Sequence, residues 1–224
     1  MKDNILIIGA SSEIAKEYII QKNQSANIYS ISRKKIRQKC TKKFIVKNFV
    51  NLQKNYFKKI FKNILFSKVL FFIGNQGPKK KKIINIHNKK ILDTFLINSI
   101  VPIKLSQILI ENKNITKKAI FIFFSSRSGS IAERGSMKHH KKKGNHIYRA
   151  SKSLLNSFVK NLSFEQNHKN YIFVCYHPGW VDTKSAKGKM TKNKAIKYFN
   201  KFENNLQKKN SGNFYNFDGE KIPW

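Results

Sequence analysis

The chain has 224 residues, and the 40% of them that are apolar are enough to bury one full hydrophobic core. The formal net charge is +35, but Lys, Asn, Ile and Phe are all frequent while Arg, Gly, Ala and Pro are scarce, a bias typical of A/T-rich coding sequence. Lysines are spread along the whole chain and phenylalanines lie within apolar runs, which argues against a dedicated nucleic-acid surface. Two cysteines, Cys40 and Cys175, exclude a disulfide framework, and no apolar run approaches the ~18 residues of a membrane span, so we expect a cytoplasmic protein.

Short apolar runs alternate with helical patterns along the whole chain. Strands are predicted at residues 4–9, 27–32, 44–47, 68–73, 119–124, 171–176 and 213–217. Helical patterns follow the turn of residues 9–15 through about Lys22, at residues 52–64, from about 89, from Tyr148, and at 191–206. Pro102 is expected to kink or restart the helix that begins near residue 89. This alternation predicts an α/β fold with a Rossmann-type, doubly wound, mostly parallel seven-stranded sheet and helices on both faces. No linker or repeat interrupts the pattern, so residues 1–224 are predicted to form a single domain.

The first strand leads into a turn of small residues and then a helix, the unit that binds phosphates in dinucleotide folds. Gly9 allows the tight turn, and the hydroxyls of Ser11 and Ser12 can cap the helix. Backbone N–H groups near Ile14 are expected to face a pyrophosphate. Tyr18 and Lys22 also lie on this helix.

Arg33 ends the second strand, 24 residues after Gly9. An acidic residue at this place binds the ribose 2′-hydroxyl of NAD, so an arginine favours the 2′-phosphate of NADP. The alternative interpretation is an ordinary basic residue in a lysine-rich loop. We expect NADP(H) to be favoured over NAD(H).

The sequence Tyr148-Arg149-Ala150-Ser151-Lys152 places a phenol and an ammonium on one face of a predicted helix. With 8 tyrosines and 46 basic residues of which five are arginine, chance alone supplies about 1.5 such pairs. Tyr18 and Lys22 form a second pair, which we interpret as a surface feature. Only the motifs around each pair can distinguish them.

Five features in order resemble the short-chain dehydrogenase/reductase family over essentially the whole chain. They are Gly9-Ala10-Ser11-Ser12-x-Ile14, Asn75-x-Gly77, Asn98, Ser126, and Tyr148-x-x-x-Lys152 followed by Pro178-Gly179. The x-x-Gly that follows selects Ser126 over Ser125. A closer resemblance is to the C-factor-like reductases, through residues 125–132, 148–156, 177–183 and 218–224.

The resemblance implies a mechanism in which Tyr148 exchanges a proton with the substrate oxygen and Ser126 donates a hydrogen bond to that oxygen. It implies that Lys152 lowers the Tyr148 pKa and binds the nicotinamide ribose, and that Asn98 holds a water of a proton relay. Cofactor contacts are implied for Gly9, Ser11, Ser12, Ile14, Arg33, Asn48, Asn75, Gly77, Tyr148, Lys152, Pro178, Gly179, Val181 and Thr183.

The chain departs from the family pattern at several places. Glu13 and Ala15 replace motif glycines, and the Glu13 carboxylate is expected near the pyrophosphate; Asn48 replaces an aspartate beside the adenine. The short connection after Arg33 predicts a shortened or missing helix. The long loop 133–146 holds His139, His140 and His146, but its lysines repel cations, so no metal site is predicted. Residues 184–190 correspond to the family's substrate-binding loop.

The leading hypothesis is a cytoplasmic NADP-dependent carbonyl reductase or alcohol dehydrogenase acting on a small molecule, without membrane or specific nucleic-acid partners. A non-catalytic dinucleotide-sensing or signalling protein is one alternative, motivated by Glu13 and by the C-factor resemblance, and a basic nucleic-acid binder is another. The sequence leaves open the substrate and the oligomeric state, a homo-oligomer included.

Overall fold

A computed structural model of the chain describes residues 2–78, 86–135, 144–165 and 170–224. Seven strands form one sheet in the order β3-β2-β1-β4-β5-β6-β7. The strands are β1 (Asp3–Ile8), β2 (Ala26–Ser32), β3 (Lys42–Ile45), β4 (Phe66–Phe71), β5 (Ile115–Phe124), β6 (Ile172–Tyr176) and β7 (Asn213–Tyr215). Each neighbouring pair of these strands is parallel, which confirms the predicted doubly wound sheet.

Helices cover both faces of the sheet. They are α1 (Glu13–Lys22), α2 (Lys54–Ile60), α3 (Asn88–Phe95), α4 (Val101–Glu111), α5 (His146–Glu165) and α6 (Lys192–Asn204). Leu6 and Ile8 of β1 join one core with α2, α4 and α5, whereas Ile5 and Ile7 join the other core with α1 and α6. Because side chains alternate across a strand, burial on both faces requires the continuous apolar runs seen in the sequence.

The order of the strands reverses between β1 and β4, and ligands of such sheets bind outside the carboxyl ends at this point. Gly9 leaves β1 here with φ of +90°, and a Cβ atom added to it would lie 2.8 Å from the backbone nitrogen of Ile73. A side chain at residue 9 would therefore force apart the two loops that form the crevice.

Two predictions about the connections are confirmed. No helix occurs between Ser32 and Lys42, as the short connection after Arg33 predicted. A π-helical turn, Leu96–Ile100, joins α3 to α4, and Pro102 follows this turn at the start of α4, where the α-helical pattern resumes.

The continuous helical stretch Asn88–Glu111 has 24 residues and is long and apolar enough by length and composition to span a membrane. It is not an unbroken apolar run, because Asn98, Lys104 and Ser106 among others interrupt it. Half of its most apolar window is buried inside the fold, and Leu105, Ile108 and Leu109 pack in the core. We interpret it as a core helix of the α/β fold.

The prediction that Tyr18 and Lys22 lie on the surface is wrong. Tyr18 is fully buried, and its hydroxyl donates a hydrogen bond to the Glu203 carboxylate at 3.0 Å. Lys22 Nζ lies 2.6 Å from the same carboxylate, and Lys68 Nζ lies 3.4 Å from it. Packing of α6 over α1 covers this face of α1, which the amino-acid pattern of α1 alone does not show.

Candidate active site

Helix α5 carries Tyr148 in its first turn and Lys152 one turn later, at the carboxyl edge of the sheet. Lys152 is only 4% exposed, and its Nζ donates a hydrogen bond to the carbonyl oxygen of Phe124, the last residue of β5, at 2.8 Å. The same Nζ lies 6.0 Å from the centroid of the Tyr148 ring. The phenol and the ammonium therefore converge above the end of β5.

Ser126 stands two residues after the end of β5, and its side chain lies beside the Tyr148 hydroxyl. Its Oγ also accepts the N–H of Ser128 at 3.2 Å, at the start of a short 3₁₀ turn that ends at Gly129. A Cβ atom on Gly129 would lie 2.8 Å from the Cβ of Lys152, so glycine allows this turn to pack directly on α5. The x-x-Gly after Ser126 thus has a physical reason.

The neighbouring Ser125 has a different environment. Its buried hydroxyl donates to Oδ1 of Asn156 at 2.6 Å, within the interior between β5 and α5. The two adjacent serines point in different directions, as expected for consecutive residues of extended chain. The structure brings Ser126, and not Ser125, to the tyrosine.

Asn98 lies in the π-helical turn and is completely buried. Its Oδ1 accepts the N–H of Asn75 at 2.7 Å, and its Nδ2 donates to the Asn75 carbonyl and to Ser151 Oγ, both at 2.9 Å. Both amide protons are therefore used to join the loop after β4 to α5. A relay water at Asn98 would therefore find no free N–H donor on this side chain and could only donate a hydrogen bond to an oxygen.

The sequence interpretation missed three polar residues that hold the site together: Ser99, Ser151 and Asn156. Ser151 Oγ donates to the carbonyl oxygen of Tyr148 at 2.7 Å, and Ser99 Oγ donates to the Ser151 carbonyl at 2.6 Å. All three are buried. The signal was available, because Ser151 and Asn156 interrupt the apolar face of α5, where a polar residue needs a partner.

Burial dominates the electrostatics of the pair. It raises the pKa of Tyr148 above its usual value, and the hydrogen bond with Ser126 offsets only part of that increase. Burial also lowers the pKa of Lys152 to about 8, while the nearby Cys175 thiol acts in the opposite direction. The expected lowering of the Tyr148 pKa by Lys152 is thus not found, because the hydroxyl is desolvated and the ammonium is directed to the Phe124 carbonyl.

The lowered Lys152 pKa makes a testable contribution to stability. In the unfolded chain a lysine keeps its proton up to about pH 10.4, whereas folded Lys152 loses its proton near pH 8. Between these two pH values the unfolded state binds more protons, so the free energy of unfolding increases as the pH rises. We expect this gain in chemical denaturation of the wild type relative to Lys152→Met across that window. Parallel stability curves for the two proteins would show that Lys152 titrates normally.

The residues expected to contact the phosphates and the adenine follow the first three strands, β1, β2 and β3. Ser12 caps α1 by accepting the N–H of Ala15 at 3.1 Å. Ser11 and Arg33 line a cleft of about 610 Å³ beside α1. Ile14 packs against the core beneath α1. Asn48 is exposed and its Oδ1 accepts the N–H of Val50 at 3.0 Å, so it stabilises its own turn.

The cleft beside α1 is strongly basic. Among the described residues its lining contains six cationic side chains and two carboxylates, together with Ser11 and Ile20; the charged residues are Lys16, Arg33, Lys34, Lys35, Lys184, Lys192, Glu13 and Glu17. Arg33 therefore belongs to a group of cations at the end of β2, where the 2′-phosphate of NADP was expected to bind.

The carboxylate of Glu13 is paired rather than free. Its Oε1 accepts the backbone N–H of Lys184 at 2.8 Å, and its Oε2 lies 2.9 Å from Lys192 Nζ. These two partners, the amide first, keep the pKa of Glu13 below its usual value. The negative charge of Glu13, which was expected near the pyrophosphate, is therefore largely neutralised by Lys192.

The loops after β4 and β6 form the rest of the site at the carboxyl edge of the sheet. Asn75 Oδ1 accepts the N–H of Gly77 at 2.8 Å, and Gly77 has φ of +60° against Thr94. After β6 come Pro178, Gly179, Val181 and Thr183. Val181 is buried and pairs with Met190, and the Thr183 hydroxyl lies 3.2 Å from that of Ser185.

No group of three or more potential metal ligands occurs among residues 2–78, 86–135, 144–165 and 170–224. His139 and His140 lie outside the described residues, and His146 begins α5. The prediction about a metal in the 133–146 loop is therefore untested.

The profile of a family described as short chain dehydrogenase matches residues 3–194. C-signal of Myxococcus xanthus is 26% identical over 133 residues, 58% of this chain and 76% of that protein. An uncharacterized oxidoreductase of Schizosaccharomyces pombe is 30% identical over 127 residues, 48% of each chain. Among solved structures, the carbonyl reductase Sniffer of D. melanogaster superposes with a TM-score of 0.85 at 21% identity over 100% of both chains. A carbonyl reductase of Pseudomonas aeruginosa PAO1 in complex with NADP gives 0.84 at 19% identity, also over 100% of both.

Proposed function

Because the chain belongs to the short-chain dehydrogenase family, we propose that this oxidoreductase uses NADP(H) to interconvert a carbonyl group and an alcohol on a small molecule. The observation that carries the proposal is the convergence of Ser126, Tyr148 and Lys152 at the end of β5, one strand away from the β1/β4 crevice. Solved relatives named carbonyl reductases, one of them in complex with NADP, support the same reaction class.

The described residues fit a phosphorylated dinucleotide. Gly9 keeps the phosphate-binding turn close to the β4 loop, and Ser12 leaves the remaining N–H groups of the first turn of α1 available. The basic cleft offers Arg33 and neighbouring lysines to a 2′-phosphate. Val181 and Thr183, at the opposite end of the edge, would hold the nicotinamide.

The nicotinamide, when bound, supplies or accepts the hydride. Tyr148 gives its proton to the carbonyl oxygen during reduction, since its raised pKa keeps the phenol protonated at neutral pH. Ser126, whose side chain lies beside Tyr148, donates a hydrogen bond to the same oxygen, where negative charge develops. In the reverse direction Tyr148 takes the proton back.

Lys152 and Asn98 support this proton transfer. With a pKa of about 8, Lys152 is mostly protonated at neutral pH, and its ammonium, 6.0 Å from the centre of the Tyr148 ring, would bind the nicotinamide ribose beside the tyrosine. Asn98 and Ser151 hold the first turn of α5 against the β4 loop through hydrogen bonds of 2.7 to 2.9 Å. The tyrosine is thereby held in a defined position, which proton transfer requires.

Incubation of the purified protein with NADPH and a panel of ketones, aldehydes and quinones tests the proposal. We expect NADPH oxidation that depends on at least one carbonyl compound. Tight NADPH binding without turnover over a broad panel, unchanged by Tyr148→Phe, would instead support a non-catalytic dinucleotide-sensing protein.

Arg33→Ala is expected to weaken NADPH binding about 10- to 100-fold while changing NADH binding by less than about threefold. A charge-assisted hydrogen bond to phosphate contributes about 1.5–3 kcal/mol, and only NADPH carries the 2′-phosphate. Fluorescence titration of both dinucleotides measures this. Arg37→Ala is the matched control, because Arg37 is exposed on the same segment but is not among the described residues that line the cleft. Equal losses for NADPH and NADH would contradict the assignment.

A further inference from the structure

Residues 183–190, which we call the strap, follow Val181 at the carboxyl edge of the sheet. The base of the strap is closed by backbone hydrogen bonds, from Asp182 N to the Met190 carbonyl at 2.8 Å and from Met190 N to the Trp180 carbonyl at 3.1 Å. A Cβ atom on Gly188 would collide with the Trp180 carbonyl oxygen, so the strap turns back tightly on its own base. The strap is a compact loop with fixed ends.

The tip of the strap reaches across the sheet edge. The carbonyl of Ser185 accepts a hydrogen bond from Gln76 Nε2, in the loop after β4, at 2.8 Å. The next contact is between Lys184 N and Glu13, at the start of α1 after β1, at 2.8 Å. Since β5 and β4 separate β6 from β1, the strap crosses roughly three strand spacings, about 14 Å. It therefore passes over the crevice at which the strand order reverses.

Glu13 touches both ends of the strap. One carboxylate oxygen accepts the N–H of Lys184 near the beginning, and the other pairs at 2.9 Å with Lys192, two residues after the end. The side chains of Glu13 and Lys192 are 24% and 40% exposed, so the pair lies at the rim of the basic cleft. Glutamate can make both contacts at once, whereas the small residue that the family pattern has at this position can make neither.

We propose that Glu13 is a positioning residue that fastens the strap across the sheet edge and so holds the Val181–Thr183 turn in place for the dinucleotide. The fastening follows from the contacts alone, whereas its effect on the dinucleotide rests on the proposed function. A different role is also conceivable for a carboxylate here, namely lowering the positive charge of the cleft. The two roles predict opposite results for one pair of variants.

Glu13→Ala and Lys192→Met change the charge of the cleft in opposite directions, by +1 and −1, but both remove the fastening ion pair. Trypsin cleavage after Lys184, Lys187 and Lys189, followed by mass spectrometry, reports release of the strap without any cofactor. We expect both variants to raise the cleavage rate at these lysines at least about fivefold, because a released loop samples open states more often. Both should also lower kcat/KM for NADPH. Glu13→Gln, which keeps an acceptor for the Lys184 amide, should show a smaller increase in cleavage.

Lys16→Met is the matched control, since it removes one positive charge from the same cleft and leaves both Glu13 contacts in place. Its strap cleavage should stay within about twofold of the wild type. Unchanged cleavage in Glu13→Ala, or tighter NADPH binding in Glu13→Ala combined with weaker binding in Lys192→Met, would overturn the proposal in favour of a charge effect. Increased cleavage in a protein that binds no dinucleotide would support the fastening and refute the proposed function instead. Circular dichroism of each variant verifies that its fold is intact, so that increased cleavage reports release of the strap and not global unfolding.

Discussion

Replacing Tyr148 by phenylalanine is expected to lower kcat for carbonyl reduction by about 10²- to 10⁴-fold, the usual contribution of a positioned general acid. The ring remains to fill its place on α5, while the hydroxyl that donates the proton is lost. We expect NADPH affinity to change by less than about tenfold, because the basic cleft and the phosphate-binding turn are untouched. Steady-state kinetics and fluorescence titration separate the two quantities.

Tyr18→Phe is the matched control for this experiment. Tyr18 and Lys22 repeat the Tyr148–Lys152 spacing, but Tyr18 is buried against Glu203 on the opposite face of the sheet. Removing its hydroxyl should cost about 1–2 kcal/mol of stability and leave kcat within about twofold of the wild type. If Tyr148→Phe kept kcat within about threefold of the wild type, Tyr148 would not be the proton donor.

Replacing Glu203 by alanine is expected to lower the free energy of unfolding by about 3 kcal/mol, at the lower end of the range for breaking a buried ion pair. The Glu203 side chain is fully buried and accepts contacts from Tyr18, Lys22 and Lys68. Its loss leaves two ammonium groups and a hydroxyl in the interior between α1, α6 and β4 without that acceptor. The exposed fractions of Lys22 and Lys68, 15% and 13%, allow partial rehydration and place the expected value at the lower end.

Urea denaturation measures this effect, with Glu111→Ala as the matched control. Glu111 pairs with Lys54 at 2.9 Å, but both side chains are more than half exposed. Such surface pairs contribute about 0–1 kcal/mol because water and salt screen them. Equal losses in the two variants would mean that the Glu203 cluster contributes no more than a surface ion pair.

The sequence predicted the secondary structure well. All seven strands occur within a few residues of their predicted positions. The central strands are found because a strand buried on both faces must be a continuous apolar run, whereas the edge strand β3 is mostly exposed. Helix ends were less accurate: α2 covers only Lys54–Ile60, although apolar spacing extends over residues 52–64. Leu52 and Phe61 lie in the turns that flank the helix and are also buried, so the regular spacing of buried residues continues beyond both ends of the helix.

The prediction of the site depended on the order of its motifs. The structure brings Ser126, Tyr148 and Lys152 together and places Asn98 behind them, with Ser151 between Asn98 and the Tyr148 backbone. Their roles remain predictions that the experiments above address. Ser99, Ser151 and Asn156 escaped notice because a lone serine or asparagine in an Asn-rich chain carries little information until its partner is known.

By itself the sequence determined the alternation of strands and helices and the order in which the motifs reach the sheet edge, because both depend on residues close together in the chain. Only the tertiary structure decided the partners of Glu13 and Tyr18. The Glu13–Lys184 contact joins residues 171 positions apart, and the Tyr18–Glu203 contact joins residues 185 positions apart. Both depend on the last part of the chain, the strap and α6, lying next to α1, and no local pattern encodes that approach. Packing therefore separated two tyrosine–lysine pairs of equal spacing, placing one in the core between two helices and the other at the edge of the sheet.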